Sequence, residues 1–181
     1  VSLGVRRTTD EFTNKQDNTV FMIVPGAGKI IAAQTCQRET TNEYNSTTSR
    51  AVVQHDLSED SNFYASFSEG FKAGGYATYE CAPPYAPEEV TSFEFGYKGS
   101  VSDRTTLNMS MFRYDYSDFQ VLQVIGIQTV TKNAGDATVN GLEMEGVSLV
   151  NDTTTIDYGL VWLDATYGEF LNLNGLAAEL G

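Results

Sequence analysis

Along most of this chain apolar and polar residues alternate with a period of two, the spacing of a half-buried strand. The alternation is cleanest in TSFEFGYKGSVSDRTTLNMSMFRYDYSDFQ, residues 91–120, where Phe93, Phe95 and Tyr97 point one way and Glu94, Gly96 and Lys98 the other. After the polar turn Ser102-Asp103-Arg104, Leu107, Met109 and Met111 alternate with Asn108 and Ser110 and lead into Phe112, Tyr114 and Tyr116. Two such runs joined by a tight turn predict a β-hairpin. One face carries bulky apolar groups and the other a carboxylate, an ammonium and small polar groups, so the hairpin divides an oily environment from a wet one.

The same pattern extends on both sides. Leu3 and Val5 alternate with Gly4 and Arg6 in a short strand at 1–11. At 47–57, Arg50, Val52 and Gln54 oppose Ala51, Val53 and His55, and in NFYASFSEGF, Phe63, Ala65 and Phe67 oppose Tyr64, Ser66 and Ser68. Within 131–150, Leu142 and Met144 alternate with Glu143 and Glu145. At 154–170, Val161, Leu163 and Tyr167 are set against Leu160, Trp162 and Asp164. The outward face of 47–57 and of 154–170 stays open at this level. The chain is thus expected to be all-β, an antiparallel up-and-down meander of about seven strands.

Residues 12–46 read as a long polar loop with its own hairpin around VFMIVPGAGKIIAA (20–33), and a loop of that length is usually functional. Residues 71–90, with Gly74, Gly75, Pro83, Pro84 and Pro87, read as loop, and 119–130 as an apolar excursion around Gly126. These long connections alternate with short polar turns at 58–61, 101–104 and 151–153. Short turns at one end and long loops at the other are the pattern of an outer-membrane barrel. An immunoglobulin-like sandwich has no reason to segregate its turns by length. Tyr64, Tyr97, Tyr114, Tyr116 and Tyr167 lie near expected strand ends, where a barrel carries its aromatic girdles, although tyrosine also simply favours strands.

Composition narrows the choice. No run of eighteen apolar residues occurs, so a helical span is not expected, and neither is a secretory leader within this stretch. The mean hydropathy of -0.26 suits strands with one side in lipid and one in a polar lumen. A net charge of -13 without any Lys/Arg cluster argues against nucleic acid as a partner. Cys36 and Cys81 are far apart in loop-like sequence, which allows one disulfide in an oxidising compartment or two free thiols, and fits no CxxC motif.

No enzyme site stands out. His55 is the single histidine and lies in an expected strand, and no GxSxG elbow is present. Gly70, Gly74 and Gly75 precede proline-rich coil rather than a helix, unlike a phosphate loop. Asp115, Asp118, Glu143 and Glu145 could meet a cation but lack calcium-loop spacing, so solvated lumen carboxylates are the simpler reading.

YASFSEGFKAGGY (64–76) resembles the TonB-dependent receptors of Gram-negative outer membranes. The resemblance continues in order through PEEVTSFEFGYKG (87–99), LNMSMFRYDYSDFQV (107–121), NAGDATVNGLEMEG (133–146) and YGLVWLDATYGEF (158–170), with GVRRTTDE (4–11) as an earlier strand. It implies that residues 1–181 are part of a transmembrane barrel of about 22 strands. The plug domain, coupling box and aromatic C-terminus of that family are not found in this stretch, so an interior piece of a larger receptor is expected.

The implied function is TonB-dependent uptake across the outer membrane of a scarce small molecule, most of all a ferric siderophore. The implied partners are that ligand, outer-membrane lipid and, through the plug of the parent, the TonB complex; no cofactor is implied. A passive porin or a surface adhesin with the same wall is the alternative, and a plug upstream would decide between them. In such a receptor the ligand is met by the long loops, which here carry Tyr44, Tyr76, Tyr79 and Tyr85, rings able to stack on a chelate or to pack the loops together. Cys36 and Cys81 would then lie on the same outer side.

Overall fold

The computed structural model describes residues 1–24, 29–76, 84–125 and 128–168. The regular elements among them are strands: β1 (Ser2–Val24), β2 (Lys29–Ser58), β3 (Ser61–Lys72), β4 (Glu88–Ser102), β5 (Thr105–Ser117), β6 (Gln120–Ile125), β7 (Gln128–Asn133), β8 (Ala137–Asn151) and β9 (Thr154–Tyr167). Seven of them pair in the order β1-β2-β3-β4-β5-β8-β9, and β6 with β7 forms a separate hairpin. Every pairing is antiparallel. The sheet is the expected meander, and the apolar excursion at 119–130 belongs to a second hairpin inserted between β5 and β8.

The larger correction concerns residues 12–46, which over 12–24 and 29–46 are strand and not loop. β1 and β2 stay paired from Ser2↔Val52 to Val24↔Lys29 with one irregularity at Val20/Phe21. Threonine explains why apolar alternation missed this: Thr8, Thr9, Thr13, Thr40, Thr41 and Thr47 are β-branched and favour extended backbone while leaving both faces polar. Across the pair the Thr13 and Thr41 hydroxyls lie 2.9 Å apart, and Thr9 donates to Asn45 at 2.7 Å.

The opposite end closes in tight turns at Glu59-Asp60, Asp103-Arg104 and Asp152-Thr153. Local side chains hold them. The Ser58 and Ser61 hydroxyls are 2.7 Å apart, and Asn151 accepts from the Thr153 N–H at 3.0 Å and its hydroxyl at 2.9 Å. Arg104 reaches Asp152 of the neighbouring turn at 3.2 Å.

Register carries the two-faced pattern across the sheet, because directly paired residues share a face. Phe63, Tyr97, Met109, Met144 and Leu160 line up in one row, and Ala65, Phe95, Met111, Leu142 and Trp162 in the next. Val53 faces Ala65 and His55 faces Phe63, so pairing settles the faces of β2 and β9 that alternation had left open. Rings pack side by side on this face: Phe63 lies 5.7 Å from Phe95 and 5.3 Å from Tyr97, and Phe67 5.1 Å from Phe93.

From Phe93 to Gly99 the apolar rows run about 20 Å at ~3.4 Å per residue. At the loop end they stop at charge. Arg113 grips Asp115 through two bonds of 2.8 Å, Thr138 adds one of 2.9 Å, and Ser49 gives Glu69 its N–H and hydroxyl at 2.8 and 2.7 Å. The Arg113 guanidinium, with help from the Thr138 hydroxyl, holds the Asp115 carboxyl below its ordinary range, and Ser49 does the same for Glu69.

The other face is polar and closely fitted. Tyr64, Gly96, Ser110 and Glu143 form one row, flanked by Glu94, Phe112 and Gly141 on one side and Lys98, Asn108 and Glu145 on the other. Glycine is needed at Gly96, where a Cβ would lie 2.5 Å from the Tyr64 ring, and at Gly141, where it would meet the Phe112 ring. Each ring lies flat over the neighbouring strand's glycine and fills the space a side chain would take.

Register corrects the girdle. Tyr64, Tyr114, Tyr116 and Tyr167 share the polar face, and of the five tyrosines only Tyr97 lies on the apolar one. Among the described residues the buried apolar side chains are Val130, Ala134 and Ala137, which lie at the loop end rather than beneath the sheet.

Candidate functional site at the loop end

Three of the four tyrosines singled out in the sequence lie in or beside the connection between β3 and β4. Tyr44 comes from β2, on the same parity as Val52 and Gln54 of the polar face, and its ring is 6.4 Å from Phe12 of β1. Asn42 donates to its hydroxyl at 3.3 Å. The ring lies against Gly74, where a Cβ would come within 2.8 Å of Tyr44 Cζ. Gly75 and Tyr85 form a two-residue bridge through backbone bonds of 3.2 and 2.8 Å, and the Tyr85 ring folds over Gly75. Two tyrosines therefore clamp the Gly74-Gly75 pair, the packing role weighed against ligand contact.

Tyr76 differs, because its hydroxyl is buried without a hydrogen-bond partner. A phenol in that state has bonding capacity left for a group brought in from outside. Tyr79 lies outside the described residues, as does Cys81; Cys36, on β2, is paired in register with Asn18 of β1, and the proposed disulfide falls outside what is described.

The root of this connection is tied to the next one. Gln120 and Asn133 face each other at the base of the β6–β7 hairpin. The Asn133 amide accepts from the Ala86 N–H at 2.7 Å and donates to the Ala86 carbonyl at 3.0 Å and the Asp118 carbonyl at 2.7 Å. Gln120 donates its side-chain amide to the Ala73 and Ala86 carbonyls at 3.0 and 3.1 Å, and its N–H to Glu88 at 2.7 Å. Phe119 anchors the hairpin on the sheet between Tyr116 and Tyr167, with centroids at 5.3 and 6.0 Å. Sequence reasoning passed over Gln120 and Asn133, since nothing in their neighbourhood signals partners so distant along the chain.

On the polar face, a hollow of about 490 Å³ is lined by Tyr64, Glu94, Lys98, Asn108, Glu143 and Glu145 among others. Tyr64 donates to Glu94, Lys98 sits 5.3 Å from the Tyr64 ring centroid, and Asn108 donates to Glu145 at 3.0 Å. Alternation had placed Glu94, Lys98, Glu143 and Glu145 on wet faces; register brings them together. The four carboxylates weighed for a cation do not converge, because Asp115 lies with Arg113 on the apolar side and Glu143 and Glu145 on the polar side. Among the described residues no group of three or more His, Cys, Asp or Glu could hold a metal ion.

Comparison with known proteins agrees with this architecture. The family model described as TonB dependent receptor-like, beta-barrel matches residues 1–178. No curated protein matches the chain. Among solved structures it is similar to the ferric yersiniabactin uptake receptor FyuA from Yersinia pestis (TM-score 0.68, 19% identity), covering 94% of this chain and 24% of that one. The copper transporter OprC (0.65, 17%) is covered over 90% of this chain and 26% of its own. The ferric-catecholate import receptor Fiu from K12 E. coli (0.62, 17%) is covered over 94% and 26%. The chain spans about a quarter of the length of these structures.

Proposed function

Because this chain belongs to the TonB-dependent receptor β-barrel family, we propose that it is part of the barrel wall of an outer-membrane receptor in a Gram-negative bacterium. The parent takes up a scarce nutrient with energy from the TonB complex, and the nutrient is a ferric siderophore. The apolar face meets lipid, the polar face meets the lumen, the tight turns lie in the periplasm and the loop end lies outside. The observation that carries this reading is a sheet with one fitted, hydrogen-bonded polar face and one apolar face that no second layer covers among the described residues. Such a sheet is stable where the apolar face has lipid as solvent and further strands pair with β1 and β9.

The titles of FyuA and Fiu, which name ferric yersiniabactin and ferric catecholate, support an iron chelate as cargo. Of the described tyrosines Tyr44, Tyr76 and Tyr85, Tyr76 is the best placed to bond a ligand, while Tyr44 and Tyr85 shape the loop that presents it. Cys36 and Cys81, both in loop-end segments, would pair in the oxidising surroundings outside. Energy would reach the loops through a plug belonging to the parent, and this wall does no chemistry on the ligand.

The test is uptake of radiolabelled ferric chelates by cells making the parent receptor, with and without TonB, beside Tyr76→Ala and a turn control, Asp103→Ala. TonB-dependent uptake that weakens in the Tyr76 variant and not in the control is expected. Uptake that continues without TonB would make the parent a passive pore, and surface binding without uptake an adhesin.

A further inference from the structure

The connection carrying Tyr76 and Tyr85 is held at both of its roots by side chains from a different connection. Ala73 and Ala86 are the residues just outside the Gly75↔Tyr85 bridge. Gln120 bonds the carbonyls of both, and Asn133 bonds both the N–H and the carbonyl of Ala86. The Asn133 amide thus behaves towards Ala86 as a strand residue would, donating and accepting at once. Its third bond, to the Asp118 carbonyl, fixes the amide from behind, where Asp118 takes a left-handed backbone with φ 53°. Phe119, wedged between Tyr116 and Tyr167, and its backbone bonds to Ala134 and Gly135 tie the whole assembly to the sheet.

From this geometry we infer that Gln120 and Asn133 are positioning residues, a latch through which the β6–β7 hairpin sets residues 73–76 and 84–86 and with them the Tyr76 hydroxyl. The inference rests on the reading that this segment meets the ligand. Among the described residues the Gln120 and Asn133 side chains bond backbone atoms of Ala73, Ala86 and Asp118, so the latch fixes where the chain sits rather than shaping a contact surface. A ligand that drew these residues away from Gln120 and Asn133 would have either to break the bonds or to carry the β6–β7 hairpin with it.

Two measurements on the intact parent receptor separate the latch from the ligand reading. The first is hydrogen exchange at the amides of residues 73–76, Tyr85, Ala86 and Glu88 in Asn133→Ala, Asn133→Asp and Gln120→Ala, with Leu122→Ala on the same hairpin as control. Loss of these bonds should speed exchange about tenfold or more. Asn133→Asp should behave like the alanine variant, because a carboxylate keeps the acceptor for Ala86 N–H but repels the Ala86 and Asp118 carbonyls. The second is dissociation of a ferric tris-catecholate and a ferric trihydroxamate, expected to quicken about fivefold or more in Asn133→Ala at unchanged receptor level in the membrane. Unchanged exchange overturns the latch. Faster exchange with unchanged dissociation overturns the positioning role. If neither chelate binds the unsubstituted receptor, the siderophore reading falls, and the latch is decided by exchange alone.

Discussion

The two faces of the seven-stranded sheet are built by opposite means. On the polar face each large side chain has a fitted place: Tyr64 over Gly96 and bonded to Glu94, Phe112 over Gly141, Asn108 on Glu145. On the apolar face the rings touch one another and no other described residue forms a layer over them; Phe95 is 48% exposed and Met111 56%. A water-soluble sheet would show the reverse, with the oily face packed under a second layer and the polar face loose in solvent. On the proposed reading, the missing layer is the surrounding medium and the fitted face is the one lining an interior.

The strongest way to break that comparison is to place charge on each face in turn. In the parent, Phe95→Arg should reduce assembly by the ~2–4 kcal/mol that a charge costs at the middle of a lipid-facing wall, while Glu94→Arg, one residue away, should assemble far better. Folded receptor in outer-membrane fractions reads the difference, and equal yields would contradict the facing.

A smaller effect tests the fitted face. Gly96→Val drives a side chain into the Tyr64 ring and should destabilise by about 1–3 kcal/mol. Gly4→Val, where a Cβ meets nothing within 4 Å, should be near neutral. Urea midpoints of the folded parent would separate them, and a matching loss at both sites would mean that Tyr64 moves aside freely.

The smallest effect concerns the charged rim. Asp115 and Glu69 have carboxyls held below their ordinary range by Arg113 and Ser49. A depressed folded pKa gives stability that is full above the unfolded value and is lost as pH falls through the folded one. Melting of the parent should therefore be flat near neutrality and fall in acid, and Asp115→Asn should flatten part of that fall. An acid limb unchanged in Asp115→Asn would remove the rim from the account.

The seven strands of the main sheet, the three tight turns and the alternation of faces were legible in the sequence because each is a local signal: period two, and Ser, Asp and Asn at the turns. The length of β1 and β2 was not, because threonine-rich strands with both faces wet carry no apolar alternation. Alternation set Tyr64 opposite Phe63, but only its pairing with Gly96 reveals that it lies beside Glu94 instead of in an outward girdle. At the candidate site, tyrosine-rich connections could be picked out, but not that Tyr44 and Tyr85 would be spent on Gly74 and Gly75, nor that Asn133 would grip Ala86, since such contacts depend on how connections far apart in sequence meet.

The central claim is that the apolar face is in contact with lipid. It is tested most directly by attaching an environment-sensitive fluorophore at Phe95→Cys and, separately, at Glu94→Cys, in a parent receptor freed of its native cysteines and reconstituted in vesicles of brominated lipid. Strong quenching at position 95 with little at 94 is the predicted result. Equal quenching at both, or stronger quenching at 94, would contradict it.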